Sequence, residues 1–160
     1  MLVLGVDPGT AITGFGVLRQ EGSRLAVVDY GAIRTEAGLA AAERLRQIHA
    51  DMIELLTLHR PDCLAIEKLF FNRNTTTALA VGQARGVVLL AAAQHGVPIR
   101  EYTPQEVKQA VTGQGRAGKA QVGYMIAALL GLAAVPQPDD VSDALAIALC
   151  HLNRRKEQEQ

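Results

Sequence analysis

The chain of 160 residues has few cysteines and no long hydrophobic run. Its two cysteines, Cys63 and Cys150, are too few for a disulfide framework, and both lie in apolar runs that predict small buried side chains in a reducing compartment. The longest apolar run, residues 87–93, falls short of the roughly 18 apolar residues that a membrane helix needs. Residues 1–6 lack the basic region of a signal peptide. These absences predict a cytoplasmic protein that contacts no membrane.

Net charge is also absent, because 16 basic and 16 acidic residues give a formal charge of zero. Taken over the whole chain, this balance argues against a nucleic-acid partner. The charges are unevenly distributed, however, since residues 68–119 hold seven basic and two acidic side chains, a net charge of +5. Such a segment can present a basic face to phosphate groups, but chance clustering on a solvated surface explains it about as well.

Strand and helix patterns alternate along the chain. Short β-prone runs predict strands at residues 2–6, 14–18, 25–30, 63–66 and 97–102. Helical spacing of apolar residues predicts helices at residues 39–59, 75–95, 104–111, 119–132 and 140–153. Short turns join the first three strands, which predicts an antiparallel meander. We therefore expect one α/β domain over residues 1–153, a mixed five-stranded sheet flanked by helices, followed by a charged, flexible tail at residues 154–160.

Four acidic residues lie where ionised carboxylates are costly. Asp7 and Glu67 follow apolar strands, so both side chains emerge close to the core. Asp140 and Asp143 are three residues apart at the start of a helix, which places them on one face. Converging carboxylates repel one another unless a hard cation lies between them, and oxygen ligands of this kind favour Mg²⁺ or Mn²⁺. The four positions predict a metal site.

Two of these acids also have simpler explanations. Asp7 could begin a Pro-Gly turn, and Glu67 could pair with Lys68 or Arg73 at a strand end. Several such coincidences in one small domain are less plausible than a single metal site.

The acids before the last helix leave two questions open. Asp140 could be the helix N-cap, with Asp143 at the third helical position, in a near capping box. The adjacent Asp139 leaves undecided which neighbour binds metal, although the spacing to Asp143 favours Asp140.

Six sequence motifs, spread over nearly the whole chain, resemble in order those of the RuvC family of bacterial Holliday junction resolvases. They are LGVDPGT at residues 4–10, AIEKLF at 65–70, GQARG at 82–86, VKQAV at 107–111, GKAQV at 118–122 and DVSDALAIA at 140–148. The first motif alone is weak, but six in the same order make the resemblance strong. It implies a ribonuclease H-like fold and a homodimer that cuts four-way DNA junctions.

The resemblance also implies roles for individual residues. The acidic positions of the family fall on the same four acids, which would hold two Mg²⁺ ions, or Mn²⁺ in their place, and carry out catalysis. The aromatic residue near the crossover falls on Phe70, and the two lysines near the active site fall on Lys108 and Lys119. Arg73 is a further predicted DNA contact. Lys68 is a small departure from the family pattern; it adds a cation beside Glu67 but removes no ligand.

The expected activity is paired, symmetric nicking in recombination and repair, which leaves ligatable 5′-phosphate and 3′-hydroxyl ends. The resemblance also implies a partnership with the RuvA-RuvB branch-migration complex. As a structural alternative, both lysines could be solvated helix residues.

Three other functions are alternatives to junction resolution. Actin-like and Hsp70-like ATPases share the Asp-x-Gly-Thr loop, but they need two such lobes and a far longer chain. An RNA-processing nuclease of the same fold would use the same metal site. A junction-binding scaffold without catalysis is disfavoured because all four acids are present.

Overall fold

The computed structural model describes residues 1–70 and 75–158, and these residues form five strands and five helices. The strands are β1 (Leu2–Asp7), β2 (Ile12–Glu21), β3 (Arg24–Arg34), β4 (Cys63–Glu67) and β5 (Ile99–Tyr102). The helices are α1 (Ala41–His59), α2 (Thr75–Gln94), α3 (Pro104–Thr112), α4 (Lys119–Leu130) and α5 (Asp139–Gln158).

The strands form one mixed sheet in the order β3-β2-β1-β4-β5. Strands β1, β2 and β3 pair antiparallel, whereas β4 runs parallel to β1 and β5 runs parallel to β4. This arrangement confirms the predicted meander with two further strands. Because β1 and β4 are parallel neighbours, their carboxyl ends lie side by side, and those ends carry Asp7 and Glu67.

Helices cover both faces of the sheet. Alternate residues of β1 enter different cores, since side chains of a strand alternate between faces. Val3 packs with α3, α4 and α5 on one face. Leu4 and Val6 pack with α1 and α2 on the other face. The sheet is therefore buried between two helical layers, and its strand ends open at the rim.

Helix α5 lies unusually close to the middle strands because glycines face it. A Cβ atom on Gly5 would lie 2.1 Å from the carbonyl oxygen of Ala144, which is far inside contact distance. On Gly16, a Cβ atom would lie 2.6 Å from the Leu145 side chain. The missing side chains let helix α5 pack directly on β1 and β2.

Several elements have other bounds than predicted, and β2, β3 and α5 differ most. Strands β2 and β3 are longer than the predicted runs, because polar residues continue the antiparallel pairing to the hairpin at Glu21 and Arg24. Helix α5 continues to Gln158, whereas a flexible tail was expected from residue 154. The Arg154 guanidinium bonds to the Glu106 carboxylate at 2.6 Å and thereby attaches this part of the helix to α3.

One helix has the length and composition of a membrane span. The window Thr77–Gln94 is 18 residues long, with a mean hydropathy of 1.2, and 22% of it is buried. This window is not an uninterrupted apolar run, because it also contains Gly, Gln and Arg85. A core helix of a soluble protein meets the same criterion. The buried face of α2, which includes Ala84, Val88 and Ala91, packs against the sheet and α1.

Candidate active site

The candidate site is a cavity of about 270 Å³ at the carboxyl ends of β1 and β4. Asp7 and Glu67 contribute the last side chains of the two strands, and Asp143 enters from the first turns of α5. Lys108 of α3 and Lys119 of α4 line the same cavity. Three of the four predicted acids and both predicted lysines therefore surround one space.

Asp7 carries the strongest electrostatic signature of the site. Burial, followed by the negative charges of Asp143, Asp140 and Glu67, raises its pKa from 3.8 to about 7. The Lys119 charge acts in the opposite direction. Although Asp140 does not line the cavity, its charge therefore reaches Asp7, and all four predicted acids belong to one electrostatic cluster.

Two other acids of the cluster are perturbed in the same direction. Burial raises the pKa of Glu67, the charge of Asp143 adds to the increase, and Lys108 and Lys119 reduce it. Burial also raises the pKa of Asp143, although its hydrogen bond with Lys119 opposes this shift. The common cause is burial, and the neighbouring negative charges add to it.

Lys119 pairs with two carboxylates at the start of α5. Its Nζ lies 3.1 Å from Oδ2 of Asp143 and 3.4 Å from Oδ2 of Asp139. Partial burial lowers the pKa of Lys119, but the hydrogen bonds and charges of the two aspartates outweigh burial, and the net shift is upward. Asp139 thus contacts the cluster through Lys119. A second cavity of about 390 Å³ lies beyond this ion pair, between α4 and α5.

The donor set fits divalent cations, because clustered carboxylates with raised pKa values gain stability from added positive charge. In the side-chain arrangement of the described residues, no three Asp, Glu, His or Cys side chains form a group that could hold a metal ion. One of the four acids, Asp143, is instead bonded to Lys119. The chemistry of the cluster fits a metal, and its side chains would have to rearrange to enclose one.

The structure tests two of the simpler explanations, namely that Asp140 caps a helix and that Glu67 forms an ion pair. Helix α5 begins at Asp139, so Asp140 lies inside the first turn and is not the N-cap. Within the described residues, Glu67 has no ion-pair partner within 4.0 Å, and Lys68 therefore does not neutralise it. The other proposed partner, Arg73, lies outside the described residues.

Phe70 follows β4 and is 58% exposed, so its ring is available to a ligand. Lys68 precedes it, and the Lys68 amide donates to the carbonyl of Tyr102 at 2.7 Å, which attaches the start of this loop to β5. The exposure of Phe70 also shows that this ring is not part of the hydrophobic core.

Arg85 lies in the GQARG motif at residues 82–86, but the sequence alone predicted no role for this residue. The Arg85 guanidinium bonds to Oε1 of Glu101 at 2.7 Å, and its Nε lies 3.4 Å from the carbonyl oxygen of Glu67. Arg85 therefore connects α2 with the ends of β4 and β5. Arg85 is the one basic residue in the apolar helix segment at residues 75–94, and this isolation is the sequence feature that could have indicated a role.

Comparisons with known proteins agree over nearly the full chain. The family model described as crossover junction endodeoxyribonuclease RuvC matches residues 3–151. A crossover junction endodeoxyribonuclease RuvC from Pelotomaculum thermopropionicum is 58% identical over 151 residues, which cover 94% of this chain and 92% of the relative.

Two solved structures of RuvC from Thermus thermophilus, each 40% identical, have closely similar folds. One superposes with a TM-score of 0.90 and covers 99% of this chain and 97% of the other. The second, in complex with a Holliday junction substrate, has a TM-score of 0.92 and covers 99% and 96%. The predicted α/β fold class is thereby confirmed. The chain belongs to the RuvC family of crossover junction endodeoxyribonucleases.

Proposed function

We propose that this chain resolves four-way DNA junctions by paired, metal-dependent nicking, with Asp7, Glu67, Asp140 and Asp143 as the catalytic and metal-binding residues. Family membership supports the reaction class, and a relative that is 40% identical was solved with a Holliday junction substrate. The observation that carries the site assignment is that Asp7, Glu67 and Asp143 line one cavity, where burial, followed by the charges of Asp143, Asp140 and Glu67, raises the pKa of Asp7 to about 7.

The four acids would hold two Mg²⁺ ions, for which Mn²⁺ can substitute. Asp7 is the candidate ligand shared by both ions, because the charges of the other three acids all act on it. Glu67 would hold one ion, and Asp140 with Asp143 would hold the other. When bound, such ions activate a water molecule and stabilise the leaving 3′ oxygen in phosphodiester hydrolysis. Hydrolysis in this direction leaves a 5′-phosphate and a 3′-hydroxyl, which a ligase can join.

The two lysines that line the cavity supply positive charge to the site. Lys119 is bonded to Asp143 and is positioned to offset negative charge that develops on the phosphate. Lys108, on the α3 wall of the cavity, is positioned to bind the DNA backbone. A capping box between Thr103 and Glu106 fixes the start of α3 and therefore the placement of Lys108 one turn later.

Phe70 would contact the crossover. An exposed ring beside a catalytic strand end can stack on an unpaired base, with a stabilisation of about 1–3 kcal/mol. Arg73 stays a predicted DNA contact, since it lies outside the described residues.

We also infer that the active form is a homodimer, because a junction with approximate two-fold symmetry needs two symmetric cuts. Helix α2 is the proposed interface. Leu79 and Leu90 are 66% and 52% exposed on it, whereas Ala84 and Ala91 on its other face are fully buried in the chain's own core. A cytoplasmic location and contact with the RuvA-RuvB complex belong to the same proposal.

The test compares end-labelled substrates of equal length: a four-way junction, a linear duplex and an RNA–DNA hybrid, each with Mg²⁺ or with EDTA. Selective cutting of the junction in Mg²⁺ is the expected result. Cutting of the hybrid in preference to the junction would favour an RNA-processing nuclease. Tight junction binding without cutting in Mg²⁺ would favour a scaffold.

A further inference from the structure

Gly14 lies next to the backbones of two of the acids, Asp7 and Asp140. It lies on β2 directly opposite Asp7 in the antiparallel pairing with β1. On the side that faces α5, a Cβ atom on Gly14 would lie 2.0 Å from the carbonyl oxygen of Asp140. It would also lie 2.3 Å from the Asp140 carbonyl carbon and 2.8 Å from the amide nitrogen of Val141. Gly14 is therefore the point at which the strand that pairs with Asp7 touches the backbone of Asp140.

All three of these close atoms belong to the helix backbone, so no change of side-chain rotamer can make room for a methyl group. Contacts below about 3.0 Å do not occur for real Cβ atoms, and a residue with a side chain would push the two backbones apart by about 1 Å. A positive φ angle is the other common reason for a glycine, but Gly14 is not among the glycines with positive φ. The close approach of the two backbones is therefore what requires glycine at this position.

The strand is the fixed partner in this contact. Strand β2 pairs with β1 on one side and with β3 on the other, where Gly14 faces Ala32. The neighbouring Thr13 is fully buried, and its Oγ1 donates to the carbonyl of Gly9 at 2.8 Å and accepts from the Gly9 amide at 3.3 Å. These bonds join the start of β2 to the loop that follows Asp7. A substitution at Gly14 would consequently move the N-terminal turn of α5.

We infer that Gly14 is a positioning residue that sets the distance between Asp7 and Asp140, and hence the spacing of the metal ligands. This inference rests on the proposed function, in which both acids bind metal. A displacement of about 1 Å in a catalytic arrangement is sufficient to reduce a rate by about 100-fold. Loss of a group that orients a metal ligand reduces metal affinity by about 10–100-fold.

Gly16 provides the matched control. It lies two residues further along the same strand and faces the same helix, but the two closest contacts of its Cβ atom would be with the Leu145 side chain, at 2.6 Å from Cδ2 and 2.8 Å from Cγ, and the Leu145 Cα would lie at 3.1 Å. Gly16→Ala would therefore disturb packing under α5 without pressing on the backbone of Asp140. Both variants should lower the melting temperature, and Gly14→Ala alone should alter the metal site.

The experiment measures Mn²⁺ binding to the full-length protein by titration calorimetry without DNA, and the rate of junction cleavage in Mg²⁺. For Gly14→Ala we expect Mn²⁺ affinity to fall at least tenfold and the cleavage rate about 100-fold, while junction binding in EDTA stays within threefold of the parent. For Gly16→Ala both metal-linked quantities should stay within threefold of the parent.

A compensating variant distinguishes positioning from a loss of stability. Glutamate is one methylene longer than aspartate, so Asp140→Glu should restore part of the reach that Gly14→Ala removes. The double variant should bind Mn²⁺ and cut junctions better than Gly14→Ala, whereas Asp140→Glu alone should do both worse than the parent.

Three results would overturn the inference. They are unchanged Mn²⁺ affinity in Gly14→Ala, equal losses in both glycine variants, and failure of Gly14→Ala to fold while Gly16→Ala folds, which would show a role in the whole fold. A parent protein without metal-dependent junction cleavage would instead refute the proposed function.

Discussion

Replacing Asp7 by Asn should stabilise the metal-free protein while it abolishes cleavage. Folding raises the pKa of Asp7 from 3.8 to about 7, so the ionised carboxylate destabilises the folded state. The resulting loss in the free energy of unfolding is absent well below pH 3.8, increases as the pH rises towards 7 and is constant above that value. A pKa difference of this size lowers the free energy of unfolding by about 4 kcal/mol at pH 8.

Asparagine keeps the shape of the side chain and removes its charge. Its amide still loses hydration in this partly buried place, so part of the penalty persists. We expect Asp7→Asn to raise the free energy of unfolding in EDTA by about 2 kcal/mol at pH 8, with about 4 kcal/mol as the upper limit. At pH 5 this increase in the free energy of unfolding should be less than half as large, because Asp7 in the folded parent protein is then mostly protonated.

The assay is urea unfolding at pH 5 and pH 8, in EDTA and in Mg²⁺, together with junction binding and cleavage. Mg²⁺ should stabilise the parent more than Asp7→Asn, since a ligand that binds only the folded state stabilises it. Junction binding in EDTA should be retained, because removal of a negative charge favours the approach of phosphate.

The control for this experiment is Asp51→Asn. Asp51 lies on α1, outside the site, and burial followed by the charge of Glu54 raises its pKa. This variant should leave the effect of Mg²⁺ and the cleavage rate unchanged. The reasoning is refuted if Asp7→Asn is less stable than the parent at pH 8, or if it loses junction binding together with cleavage.

Three other variants test the remaining parts of the site. Phe70→Ala should change the free energy of unfolding by less than about 0.5 kcal/mol and still impair cleavage, because the ring is exposed; a large drop in melting temperature would contradict this. Lys119→Ala should reduce the cleavage rate by about 10²–10³-fold at saturating junction, whereas Lys119→Arg should retain more activity; equal rates for parent and alanine variant would exclude the role of Lys119. Leu90→Arg should shift the protein towards monomer in light scattering and leave single nicks, and a stable dimer with paired cuts would exclude α2 as the interface.

The sequence predicted those parts of the site that depend on local pattern. Asp7 and Glu67 follow apolar strands, and the carboxyl ends of parallel neighbours necessarily meet at one edge of a sheet. The spacing of Asp140 and Asp143 places both on one face of a helix. These three facts, together with the element order, are sufficient to predict an acidic cluster.

Other features depend on contacts between distant residues, which no local pattern reports. The role of Gly14 follows from the approach of α5 to β2, across more than a hundred residues of sequence. The pairing of Arg154 with Glu106 holds the end of α5, where the polar composition alone indicated a flexible tail. The bond from Lys119 to Asp139 likewise requires the two helix starts to meet.

A supercoiled plasmid that extrudes a cruciform tests the central claim most directly, because single nicks give open circles and paired cuts give linear DNA. With the parent protein in Mg²⁺ we expect linear product whose ends T4 ligase can join, without accumulation of open circles. With EDTA, or with Asp7→Asn in Mg²⁺, we expect neither product. Linear DNA formed by Asp7→Asn at the parent rate, or formed equally from a plasmid without the cruciform, would contradict the account.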